Sequence, residues 1–160
     1  MAIKIRQSTF ETNSSSVHSI VIDTRNMIEP SDISIYSNGG KYGWEYEMLS
    51  TINERVDYLW QGICQNYDPS EALYEWRDAI HEWLPNANLE YPKYPDGYID
   101  HAGGLYPLLK RMYDDRTLLG CYLLGIDSYV ETYNDNEYNQ PEDVFTYPEG
   151  DGYVRYEKWN

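Results

Sequence analysis

The pattern of apolar and polar positions divides this chain into strand-like ends and a helical middle. Residues 3–5 and residues 17–22 are rich in β-branched side chains, which suit a pleated surface and predict two strands. Residues 33–36 alternate with period two and predict a third. Asn38, Gly39 and Gly40 tolerate positive φ, so they predict a turn that returns residues 42–46 as the hairpin partner of that strand.

Helical spacing follows. Ile52, Val56, Leu59, Trp60 and Ile63 share one helix face, with Ser50 placed to cap it. A second helix starts from Asp68 as N-cap, Pro69 in the first helical position and Glu71 closing a capping box. Leu73, Trp76, Ile80, Trp83 and Leu84 form its buried stripe, and Pro85, which cannot continue a helix, stops it. Residues 85–101 read as an ordered loop ending in a short strand at Tyr98, Ile99 and Asp100. A third helix gathers Leu105, Leu108, Leu109 and Met112, and residues 117–124 are apolar enough to predict a buried fourth. Residues 128–133 alternate as a strand, Asn134, Asp135 and Asn136 turn, and residues 153–159 close the sheet. No repeat or linker interrupts this order. Residues 1–160 are therefore expected to form one α+β domain, a small mixed sheet packed with three to four helices.

Composition narrows the class. With 41% hydrophobic residues, 18 Tyr and 5 Trp, the chain holds too much apolar and aromatic surface to stay disordered. It has no run of eighteen apolar residues and no signal-peptide stretch near its start, so the expected setting is cytoplasmic. Cys64 and Cys121 fall in apolar helical patterns and read as reduced core thiols, with no metal site assigned. The net charge of −15 repels phosphate backbones and anionic membranes, which argues against direct nucleic-acid or membrane binding. It favours a basic protein partner instead.

That charge is uneven. Residues 45–84 and residues 127–160 each carry nine acids and two bases, whereas residues 1–44 are neutral and residues 85–126 nearly so. Glu54, Asp57, Glu75, Asp78 and Glu82 fall mostly off the apolar stripes and are expected on the solvent face of the helical pair. With Asp143, Glu149 and Asp151 they are the candidate partner-binding acids.

Three segments carry candidate chemistry. In the first, Asn13, Ser14, Ser15 and Ser16 offer hydroxyls and tight turns to a phosphate or ribose. His18 lies on the same strand face as Ser16, because strand side chains alternate. Neighbours on one strand rarely reach the attack geometry of a nucleophile and its base, and a self-satisfied Ser turn is the plainer alternative. In the second, Asp100 and His101 precede Gly103 and Gly104 at a strand end, where they could ligate a metal, orient an acid–base imidazole or merely finish the strand. In the third, Asn134, Asp135 and Asn136 suit either a cation or a hairpin turn, without the spacing of an EF-hand. Trp44 offers a stacking surface for a nucleotide. His81 is expected on an exposed helix face, without a role. No phosphate-binding glycine loop, zinc spacing, nucleophile elbow or HExxH helix occurs, so no cofactor is assigned and the expectation leans away from catalysis.

The run Phe10-Glu11-Thr12-Asn13-Ser14-Ser15-Ser16-Val17-His18-Ser19 resembles the opening of a family of small proteins of bacteriophages, prophages and their bacterial hosts. Tyr42-Gly43-Trp44-Glu45, Tyr98-Ile99-Asp100-His101 and residues 128–136 continue the resemblance, which spans residues 3–137. It implies a setting, the cytoplasm of a bacterial host, and neither a fold nor a mechanism. In that setting the acidic, Tyr-rich composition points first to an inhibitor of a host or defence protein, such as a CRISPR effector with a basic nucleic-acid groove. The alternative is a domain that binds or converts a nucleotide or another phosphate-bearing ligand through the segments around His18 and Asp100.

Overall fold

A computed structural model describes residues 16–30, 34–36, 40–67, 71–90, 98–100, 102–134 and 151–158. The strand expected at residues 3–5, the turn residues Asn38 and Gly39 and the cap at Asp68 and Pro69 lie outside the described residues. So do Asn13, Ser14, Ser15, His101, Asp135, Asn136, Asp143 and Glu149.

The fold is α+β, as the pattern predicts. Its main sheet has four antiparallel strands in the order β4 (Glu47–Leu49), β7 (Tyr129–Asn134), β1 (Ser16–Asp23) and β8 (Tyr153–Lys158). Alternation along β1 sends Ser16, His18, Ile20 and Ile22 to one face, where Ile20 and Ile22 join the core. Val130 and Leu49, opposite Ile20 and each other in register, extend that apolar row across the sheet.

Two small parallel ladders replace the expected hairpin. β2 (Ile35–Tyr36) pairs with β5 (Ala87–Asn88), and β3 (Lys41–Tyr42) pairs with β6 (Tyr98–Ile99). Residues 42–46 therefore do not return onto β2. Parallel partners need a long crossover, and here the helices α1 (Ile52–Asn66) and α2 (Glu71–Trp83) supply it.

Helix α1 starts at Thr51, not Ser50. The Thr51 hydroxyl accepts the Glu54 N–H at 3.2 Å, and the Glu54 carboxylate accepts the N–H groups of Ser50 and Thr51 at 3.0 Å. From Arg55 to Cys64 every residue of α1 is buried, polar ones included, so this helix is central and not amphipathic at the surface. Arg55 shows how it bears that burial. Its guanidinium donates to the carbonyls of Ser50 (2.7 Å), Ser128 (2.5 Å), Leu123 (2.8 Å) and Gly125 (3.3 Å). Two of these belong to the C-terminal end of α4 (Arg116–Leu124), where orphan carbonyls attract a cation. A 3-10 turn (Ala102–Leu105) and α3 (Tyr106–Asp114) complete the layer. Cys64 and Cys121 are buried free thiols, and burial pushes Cys64 up to about 12, far from thiolate chemistry. No helix among the described residues is long and apolar enough to cross a membrane.

Candidate ligand site at the start of the central strand

The candidate site grows from the first residues of β1. Ser16 and His18 are both fully buried on the helix-facing side, as their alternation requires. The Ser16 hydroxyl donates to the Asp100 carbonyl at 3.2 Å, so its oxygen is left to accept from His18 Nε2 at 3.0 Å. His18 Nδ1 then carries the lone pair and accepts the Tyr58 hydroxyl at 2.6 Å. Burial raises the Tyr58 phenol well above its ordinary value, which keeps that donor protonated. Ser16 has already committed its proton to a carbonyl and lies in the interior. It is a positioned hydroxyl, not an exposed nucleophile.

The β3–β6 ladder delivers the second side of the site. The Asp100 N–H donates to the Tyr42 carbonyl at 2.9 Å, which sets residues 98–100 beside residues 40–43. Gln65 of α1 fastens this ladder by bonding both backbone groups of Ile99, at 2.7 and 3.0 Å. Gly43 follows with φ of 100°, a conformation that L side chains rarely adopt. A Cβ there would lie 2.9 Å from His18 Nε2, 2.9 Å from Asp100 Cβ and 3.2 Å from Ser16 Cβ. Only glycine lets the backbone approach the imidazole this closely. Next to it, Trp44 is 47% exposed and stacks on Tyr98, with ring centroids 6.3 Å apart. The pair forms an aromatic platform beside Asp100.

From Tyr42 of β3 a buried polar relay runs to α1. Asp57 accepts from the Tyr42 hydroxyl (2.5 Å), Gln61 Nε2 (2.9 Å) and the Gly40 N–H (3.0 Å). Burial first and the Asp57 carboxylate second raise the Tyr42 phenol, so it too remains a donor. Among the described residues, three acceptor-capable atoms are left over. In register across the sheet, Glu47 faces Thr132 and Thr132 faces His18. Thr132 Oγ1 is fully buried without a hydrogen bond, as are Glu47 Oε2 and, on α1, Gln61 Oε1. Orphan buried polar atoms are costly, so the Thr132 and Glu47 oxygens in the row of His18 and the Gln61 oxygen beside Asp57 are points where a hydrogen-bond donor would be accommodated. The Gln61 oxygen can only accept a hydrogen bond, as can the Glu47 oxygen when ionised.

The segments around His18, Trp44 and Asp100 thus meet, although the chain separates them widely. Asn134 enters through its strand pairing with Ser16. Gly43, Glu47, Tyr58, Tyr98 and Thr132 join them without having been singled out. Gly43, Tyr98 and Thr132 stood inside segments that carry the resemblance, whereas nothing local marked Glu47 or Tyr58.

The partner-binding acids fare differently. Asp57 is 2% exposed and belongs to the relay, which corrects its assignment to the solvent face. Glu54 closes the cap of α1, Glu75 accepts from the Tyr113 hydroxyl at 2.8 Å, and Asp151 pairs with Arg155 at 2.8 Å. Asp78 and Glu82 are exposed on α2. His81 is partly buried, and its Nε2 lies 2.8 Å from the Ala87 carbonyl, so it ties α2 to β5. No family model, curated protein or solved structure matches the chain.

Proposed function

We propose that the protein is a small-molecule-binding domain whose ligand is planar and rich in hydrogen-bond donors, of the nucleoside type. The observation that carries this reading is the meeting of β1 and the β3–β6 ladder at Ser16, His18, Gly43 and Asp100. The exposed Trp44 ring, backed by Tyr98, gives a base a surface to stack on, and such stacking contributes about 1–3 kcal/mol. The unpartnered Gln61, Glu47 and Thr132 oxygens suit the amino, imino and hydroxyl groups of the ligand. Carboxylates at Glu47, Asp57 and Asp100 disfavour a phosphate, so a nucleoside is expected to bind more tightly than its 5′-phosphate.

Tryptophan fluorescence during titration with the four common nucleosides tests this. At least one is expected to quench saturably, and Trp44→Ala is expected to weaken binding about tenfold or more while leaving the melting temperature unchanged. Absence of quenching by every nucleoside, or unaltered binding in Trp44→Ala, would sink the reading.

A second reading rests on α2. Glu71, Glu75, Asp78 and Glu82 are exposed at helical spacing beside Tyr74, which is 66% exposed. An acidic stripe with a protruding tyrosine suits docking onto a basic protein, and in the setting implied by the phage-type resemblance that partner would be a host or defence enzyme. Such docking would be salt-sensitive and abolished by the charge reversals Asp78→Lys and Glu82→Lys. Binding indifferent to both would remove it.

A further inference from the structure

Where α2 faces α3, the structure holds a cavity of about 230 Å³, and none of its lining residues belongs to the site above. Four rings, Tyr67, Trp76, Tyr106 and Tyr113, line it together with the charged Glu75, Lys110 and Asp114. Trp76 meets Tyr67 and Tyr113 edge-on, with centroids 6.0 and 5.2 Å away, and Tyr67 tilts on Tyr106 at 5.9 Å. The rings meet at angles of 38°, 61° and 64° and do not stack flat, and Tyr106, 45% exposed, is far more open than Trp76 at 1%. An aromatic face carries partial negative charge and attracts a cation. Arg116, which does not line the cavity, already uses Tyr113 in this way, with its guanidinium carbon 4.5 Å from the ring centroid.

Charge at the rim agrees. Lys110 is 61% exposed and held by Asp114 at 3.1 Å, so that pair is neutral. Among the lining residues the Glu75 carboxylate, fixed by the Tyr113 hydroxyl, is the charge left over. A quaternary ammonium buries its methyl groups against these rings and gains the attraction of the Glu75 carboxylate without needing a hydrogen-bond acceptor. The volume lies below that of sites for drug-sized ligands and suits a small head group. We infer that this cavity is an aromatic cage for a small alkylated ammonium ion of the choline type.

Calorimetric titration with choline and with its uncharged isostere 3,3-dimethylbutan-1-ol separates a cation site from a merely apolar one. Choline is expected to bind saturably and about tenfold more tightly than the alcohol. Tyr106→Leu, at a position 45% exposed where folding is not at stake, is expected to weaken choline about fivefold or more. Glu75→Gln keeps an acceptor for Tyr113 and removes the charge, so choline should weaken while the alcohol is unaffected. Including Nε-trimethyllysine in the series identifies the source. Tighter binding than choline assigns the cage to a modified protein side chain, and weaker binding to a free small molecule. Equal affinity for choline and the alcohol, absence of saturable choline binding, or choline affinity unchanged in Tyr106→Leu would overturn the proposal.

Discussion

Glu47 sits where the sheet turns from surface to interior, opposite Thr132 in register, with one carboxylate oxygen buried and unbonded. Burial, then the nearby Glu45 and Glu54 carboxylates, push its carboxyl above the ordinary value. The folded state therefore holds this proton to higher pH than the unfolded chain does. Stability is undiminished below the ordinary carboxylate range and falls as pH rises through the folded value. Glu47→Gln should raise the melting temperature at pH 7 by about 2 °C and change it little near pH 4. Thermal melts at the two pH values check this, and an equal effect at both would show that the charge is not the cause. Gly43 carries a second residue-scale constraint, because both its φ and its missing Cβ are dictated by His18 and Asp100. Gly43→Ala is expected to cost about 2–3 kcal/mol in denaturant unfolding. A variant as stable as the parent would contradict that close contact.

Among the elements, those visible in the sequence are the ones whose signals are local. The stripes of α1 and α2, the apolar run of α4 and the alternation of β1 and β7 depend on neighbours a few residues away, and they appear where the pattern puts them. The β2–β5 and β3–β6 ladders are two residues long with partners far along the chain, so no periodicity could reveal them. The same limit applies to the site. Ser16 and His18 follow from alternation, and Trp44 and Asp100 from their segments. Tyr58 and Asp57 enter only because α1 is buried on every side, which a stripe of five apolar residues cannot disclose. Arg55 makes that burial testable. Arg55→Met strands the carbonyls of Ser128, Leu123 and Gly125, and should cost about 3 kcal/mol by chemical denaturation. A loss below about 1 kcal/mol would mean those carbonyls find other partners.

Over the whole molecule, a net charge of −15 is divided between acids with internal duties and acids that face outward. Glu54 and Asp57 cap and brace α1, Asp151 is paired, and the exposed stripe of α2 is left for any basic partner. The start of β1 is a different region, with an exposed Trp44 ring, a buried imidazole and buried unbonded oxygens. The cage between α2 and α3 is a third. The proposed binding regions thus lie on separate parts of one small fold, and the one at β1 carries the central proposal. Backbone amide and indole resonances recorded during titration with the nucleoside that quenches most strongly test that claim directly. Shifts confined to Gly43, the Trp44 indole, Tyr98, Asp100 and the start of β1 are the expected result. Shifts centred on α2 and α3, or none at saturating ligand, would contradict it.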